Sequence, residues 1–251
     1  MNIVELIKKL LEINKYQSSS IYSIAKLFSI VACFVTPFFY YTRCSANIVS
    51  VISLITGILG ALIIFVNGIE YVGYGISLLF LSILIDYCDG SIARLNNTPN
   101  FFGRFVDGLV DIFVIGIFQC SLLYVFIEWD HLFYFISENM FHGLLIVLIL
   151  SIFFTPIQHL IFDRYSSYAR WIKEEHSINI SPTLKREISF VYIDLINDIQ
   201  LILLLMIPFF IDAIIIYFII NLLTSLYVIS IHFLFSKKYM NVHAECHRKN
   251  K

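Results

Sequence analysis

The sequence predicts an all-α membrane protein, a polytopic bundle of six transmembrane helices preceded by an interfacial amphipathic helix. Three observations carry that expectation. Of 251 residues, 59% are hydrophobic and 14% charged, with a mean hydropathy of +0.83, a balance outside that of soluble domains. Windows long enough to cross a hydrocarbon core of about 30 Å fall at 47–66, 72–94, 103–127, 142–161, 188–207 and 212–235. With both ends on the cytoplasmic side, all 17 Lys and Arg residues fall on that side and the opposite loops, including 128–141, carry none, which matches the enrichment of basic residues in inner loops.

Taken in order, residues 3–13 form an amphipathic stretch leading into an apolar segment at 21–41. That segment is long enough for a seventh span, yet inserting it would flip either the lysine-bearing N-terminus or everything after it, and Pro37 interrupts it. It is expected to lie along the membrane surface. The N-terminus lacks the charged region, short apolar core and small-residue cleavage site of a removable signal. Residues 1–46 are thus a juxtamembrane segment, 47–235 the six-span domain and 236–251 a basic cytoplasmic tail. The expected setting is the plasma (inner) membrane, with both termini cytoplasmic.

Composition excludes less than it includes. A net charge of -1 identifies no partner, and no stretch interleaves basic and aromatic residues as a nucleic-acid surface would. The five cysteines, Cys33, Cys44, Cys88, Cys120 and Cys246, are odd in number and scattered over apolar segments or the inner side, where disulfides are rare. The spans carry no diagnostic dimer pattern, so monomer and homodimer both stay open.

Four carboxylates interrupt the apolar sequence between Asp86 and Asp111, in the pattern D-x2-D-G-x2-A-R-x8-G-x3-D-x3-D. One aspartate at a helix centre costs roughly 2.5 to 3.5 kcal/mol, so four left uncompensated would cost on the order of 10 kcal/mol. Residues three or four apart share a helix face. Asp86, Asp89 and Ala93 therefore line one helix, and Gly103, Asp107 and Asp111 the next, joined through Asn96, Asn97, Pro99 and Asn100, a breaker cluster suited to a tight connection. The acidic faces can meet, and clustered carboxylates suit hard divalent cations: two Mg2+ or Mn2+ ions would balance the charge.

This run resembles the signature of the CDP-alcohol phosphotransferase family, with each fixed position matched. The resemblance implies a six-span membrane enzyme of phospholipid biosynthesis that transfers a substituted phosphate from a CDP-linked donor to an alcohol and releases CMP. It further implies that Asp86, Asp89 and Asp107 are metal ligands and that Asp111 is a ligand and the general base. Gly90, Ala93 and Gly103 would let the cytidine and phosphates lie against the backbone, and Arg94 would supply a positive fork near the phosphates. A proton relay or cation pathway also places acids in a membrane bundle, but it requires neither the glycines nor Ala93 and Arg94. A divalent-cation or proton-coupled transporter is the alternative from another class.

Features outside the motif are less committed. Ser45-Ala-Asn47-Ile-Val-Ser50 resembles the Pro-Asn-x-x-Thr entry of many family members, with Ala46 for proline and Ser50 for threonine. Asn47 and Ser50 would hydrogen-bond the nucleotide, or else Ser45 or Asn47 caps the helix. Between 162 and 187 an inner loop is expected, with Arg164 singled out as an acceptor contact and the other basic residues assigned to lipid headgroups. Gln158, His159, Asp194, Asn197 and Asp198 stand at nearby span ends. The first substrate expectation is CDP-diacylglycerol with a small alcohol or polyol phosphate, so that at least one substrate is a lipid. The alternative is a CDP-activated choline or ethanolamine acting on a lipid or glycan, which the lack of an evident aromatic cage disfavours.

Overall fold

The structure, a computed structural model, describes residues 2–15, 24–96, 101–129, 137–176 and 188–249, except for the side chains of 15, 25, 101–105, 107, 172–176, 188–194 and 238–249. Within them the chain is helical throughout: α1 (Ile3–Lys15), α2 (Ile24–Tyr41), α3 (Ala46–Asn67), α4 (Val72–Leu95), α5 (Phe101–Glu128), α6 (Glu138–His176), α7 (Ile188–Met206) and α8 (Ala213–Lys249).

Four segments among the described residues are long and apolar enough to cross a membrane: Ala46–Leu95, Gly108–Glu128, Glu138–Trp171 and Ala213–Lys237. Six separate windows were expected. The first segment holds two of them, because α3 and α4 are joined only by the 3-10 turn Gly68–Tyr71, and at about 1.5 Å per residue each of these helices reaches over 30 Å. In α7 the described apolar stretch, Leu195–Met206, is shorter than the others.

Gly68 makes the reversal, with φ 68° in the left-handed region that favours glycine. The hairpin then closes on small residues. A Cβ on Gly60 would stand 2.7 Å from the Gly75 carbonyl oxygen, and one on Gly75 would stand 2.3 Å from Ile64 Cγ1. Two turns deeper the serines exchange bonds: Ser53 Oγ donates to the Ser82 carbonyl at 3.0 Å, and Ser82 Oγ to the Ser53 carbonyl at 2.8 Å. α5 packs on α3 as well, with Val114 Cγ1 only 2.5 Å from where a Gly57 Cβ would be. α3 is thus the post against which both acid-bearing helices lean, and its glycines set their spacing.

The main core joins this trio to α6 and α8 through Ile76, Phe118, Leu122, Phe126, Leu148 and Phe218, all nearly inaccessible. Polar stitching accompanies the apolar contact. Buried Asn221 on α8 donates from Nδ2 to Ser151 Oγ and to Thr155 Oγ1 on α6, both at 2.8 Å. Interhelical hydrogen bonds of this kind contribute roughly 1–2 kcal/mol in a membrane. Asn221→Leu is therefore expected to lower the unfolding midpoint in detergent by an amount corresponding to about that loss, whereas Asn221→Gln, which keeps an amide donor, should recover part of it.

At the N-terminus, α2 buries Ala32 and Phe39 against Val49, Ile85, Cys88 and Ile92, while Leu27, Phe34 and Phe38 are exposed. A helix apolar on both sides suits a bilayer boundary. Pro37 does not interrupt it: α2 runs through that position. Thr36 Oγ1 donates back to the Ala32 carbonyl at 2.6 Å, and Thr155 makes the same bond to Ser151 beside Pro156 in α6. Neither hydroxyl reaches the carbonyl that the proline leaves without a donor, that of Cys33 or Ile152, so these bonds brace the turn beside each proline and packing against neighbouring helices accommodates the rest. One further expectation changes: residues 162–176 continue α6 as helix rather than loop, because no Gly or Pro stands there to stop it. For the same reason α8 runs on to Lys249.

Candidate active site

Asp86 lies on α4 two turns before its end, and Asp111 on α5 two to three turns after its start. They face one cavity. Its volume is about 390 Å3, and its walls come from α3, α4, α5, α6, α7 and α8. Ser53 and Ser82 of the hairpin line it near the acids; Gln158 and His159 of α6, Asn197 and Gln200 of α7 and Asn221 and Thr224 of α8 line the far wall. Val114, Phe118, Leu204 and Tyr217 close its apolar end. No Lys or Arg appears among the described lining residues.

Asp89 sits one turn beyond Asp86 and is 7% exposed. Ser50 on α3 donates its hydroxyl to Asp89 Oδ2. Ser50, expected to contact the nucleotide, gives its hydroxyl to a motif carboxylate, an arrangement created by the antiparallel register of α3 and α4. Ser45, not Asn47, caps α3: its Oγ accepts from the Ile48 N–H at 3.4 Å. Asn47 stands half-buried in the first turn.

Arg94 folds back along α4. Its Nη1 lies 3.1 Å from the position a Cβ on Gly90 would take, so the missing side chain of Gly90 is the space the guanidinium occupies. Ala93 is half-buried beside it. Gly103 belongs to the first turn of α5 and Asp107 to the next, but the side chain of Asp107 lies outside the described residues. Arg164 is exposed, one turn from exposed Leu160, and does not line the cavity. Asp198, for which no partner could be chosen from sequence, accepts the Ile24 N–H through Oδ1 at 3.0 Å and so ties α7 to the first residue of α2. The side chain of Asp194 is outside the described residues.

Sequence reasoning missed the far wall of the cavity: Gln200, Asn221 and Thr224, and behind it Ser151 and Ser225. The signal was present as helical spacing. Asn221, Thr224 and Ser225 share one face of α8, and Ser151, Thr155 and Gln158 one face of α6, where Ser225 Oγ donates to Gln158 Oε1 at 2.7 Å.

The donor chemistry at the near wall fits a hard divalent cation. Two carboxylates from facing helices open on one space, with a third a turn away. Among the described residues no group of three His, Cys, Asp or Glu side chains stands close enough to hold an ion, and Asp107 is the motif acid not included in that statement.

The sequence model of the CDP-alcohol phosphatidyltransferase family matches residues 43–171, just over half of the chain. Comparison with curated protein sequences gives no match. Among solved structures the chain is similar to Mycobacterium tuberculosis phosphatidylinositol phosphate synthase (PgsA1) with CDP-DAG bound, at 16% identity and a TM-score of 0.57, over 79% of this chain and 89% of that one. It is also similar to the apo form of that enzyme, at 15% identity and a TM-score of 0.54, covering 79% and 92%. For the complex with manganese and citrate the figures are 15%, 0.55, 79% and 85%. At these identities the likeness is one of fold.

Proposed function

The chain belongs to the CDP-alcohol phosphatidyltransferase family, and from that premise we propose that it transfers a phosphatidyl group from CDP-diacylglycerol to an alcohol, releasing CMP. The observation that carries this reading is the cavity shared by Asp86 and Asp111, lined by both polar and apolar side chains. The mycobacterial enzyme of the same fold was solved with CDP-DAG and with manganese, which supports a CDP-lipid donor and a divalent ion here.

Asp86, Asp89, Asp107 and Asp111 would hold two Mg2+ or Mn2+ ions. Bound there, the ions supply Lewis-acid neutralisation of the pyrophosphate charge. Asp111 takes the proton from the acceptor hydroxyl as its oxygen attacks the lipid-bearing phosphorus. The bridging P–O bond breaks and its electron pair leaves with CMP. Ser50 holds the Asp89 carboxylate in one orientation, Gly90 makes room for the Arg94 guanidinium that meets the phosphates, and Ala93 and Gly103 leave the backbone open to the nucleotide. Asn47 lies on the same side for a contact to the base or ribose. α7 serves as the sixth crossing, and the 17 basic residues put both termini and the motif on the cytoplasmic side.

Purified protein with Mg2+ or Mn2+, CDP-diacylglycerol and a panel of small alcohols and polyol phosphates tests this by CMP release. Acceptor-dependent CMP formation is the expected result. Release only from CDP-choline or CDP-ethanolamine in the presence of a lipid would move the assignment to head-group transfer. Ion or proton flux into proteoliposomes with no CMP from any donor would overturn it.

A further inference from the structure

Among the described residues, α1 hydrogen-bonds the signature helix through one side chain. Asn14, next to the last residue of α1, is 7% exposed although its helix is amphipathic and lies at the edge of the bundle. Its Nδ2 donates to Ser91 Oγ at 3.1 Å and to Cys33 Sγ at 3.2 Å. Its Oδ1 accepts from Arg94 Nη2 at 2.9 Å. Arg94 Nη2 also reaches Ser91 Oγ at 3.3 Å. A carboxamide offers donors and an acceptor on one rigid plane, so a single residue can bind a neutral hydroxyl and a guanidinium together. Leu6 and Leu10, fully buried against Cys33, Tyr40 and Leu95, fix α1 in the place this requires.

The consequence falls on the motif arginine. With Nη2 held by Asn14 and Ser91, the guanidinium stands against Gly90, with Nη1 3.1 Å from where a Cβ would be. Nη1 is the guanidinium nitrogen nearest the face of α4 that Gly90 leaves without a side chain. We infer that Asn14 is a positioning residue for the nucleotide site, fixing Arg94 so that Nη1 meets the diphosphate of the CDP-linked donor, and that α1 is thereby a working part of the enzyme. This rests on the function proposed above.

The test uses the full chain, with CDP binding in the presence of Mn2+ and steady-state CMP release as readouts. Asn14→Ala should raise the KM for donor and the Kd for CDP about tenfold, the loss of one hydrogen bond to a charged group, with kcat within about twofold. Asn14→Gln, which keeps the carboxamide donor and acceptor, should recover part of that loss. In an Arg94→Ala background, Asn14→Ala should add no further loss of CDP affinity. An unchanged KM in Asn14→Ala, or a loss undiminished when Arg94 is absent, overturns the inference. Should Asn14→Ala not fold, Ser91→Ala removes the hydroxyl both groups share; a raised KM there supports the inference and an unchanged one overturns it. A wild-type chain that neither binds CDP nor releases CMP overturns the functional reading itself, which an active wild type with indifferent Asn14 variants does not.

Discussion

Asp111→Asn is expected to lower acceptor-dependent CMP release by about three orders of magnitude, within the 10²–10⁴-fold range of general-base catalysis, while divalent-ion binding is weakened but retained. Asparagine keeps the shape of the side chain and one oxygen, so it can still ligate, but it cannot carry a proton away. Asp89→Asn should behave differently and lose both activity and ion binding. Its carboxylate is buried and takes the Ser50 hydroxyl, so an amide there loses a negative charge and presents an N–H or a reoriented oxygen to a partner built for an acceptor. Mn2+ titration followed by electron paramagnetic resonance, run beside CMP release, separates the two variants. Wild-type turnover in either one removes the assigned role, and equal loss of Mn2+ binding in both removes the distinction between base and ligand.

What could be read without coordinates follows from how strongly each feature departs from an apolar background. α3, α4 and α5 begin and end close to the windows at 47–66, 72–94 and 103–127, because a spanning helix needs a long uninterrupted apolar run and its ends are marked by Ser45, Gly68 and the asparagine cluster after Arg94. Asp86 and Asp111 were legible because a carboxylate in such a run demands compensation. Asn221, Thr224 and Ser151 were not, since a lone amide or hydroxyl is tolerated in a membrane helix at small cost. Asn14 was hidden for another reason. Its spacing from Leu6 and Leu10 puts it on their face of α1, but the helix which that face meets, α4, is distant in sequence, and only the packing shows it. Helix continuation past 161 and 235 was hidden because charge marks the end of a span but not the end of a helix.

The spacing of the acids depends on glycine as much as on the acids themselves, which makes Gly60→Ala and Gly75→Ala the informative structural variants. At Gly60 the added carbon meets the Gly75 carbonyl at 2.7 Å, and at Gly75 it meets the Gly60 carbonyl at 2.6 Å. Neither obstacle is a side chain that can rotate aside. Overpacking typically costs about 1–3 kcal/mol, and a backbone obstacle puts these two at the upper end, against a helix-propensity gain from Gly to Ala of about 1 kcal/mol that partly offsets it. Relief requires α3 and α4 to part, which lengthens the Ser53–Ser82 exchange and carries Asp86 away from Asp111. Both the unfolding midpoint and CMP release should therefore fall. Gly116 and Gly143 supply the control, since a Cβ at either meets nothing within 4 Å, and Gly116→Ala or Gly143→Ala should leave the midpoint unchanged or raise it. If Gly75→Ala were as stable and active as Gly116→Ala, close approach of the hairpin could not be what sets the distance between the two acidic helices.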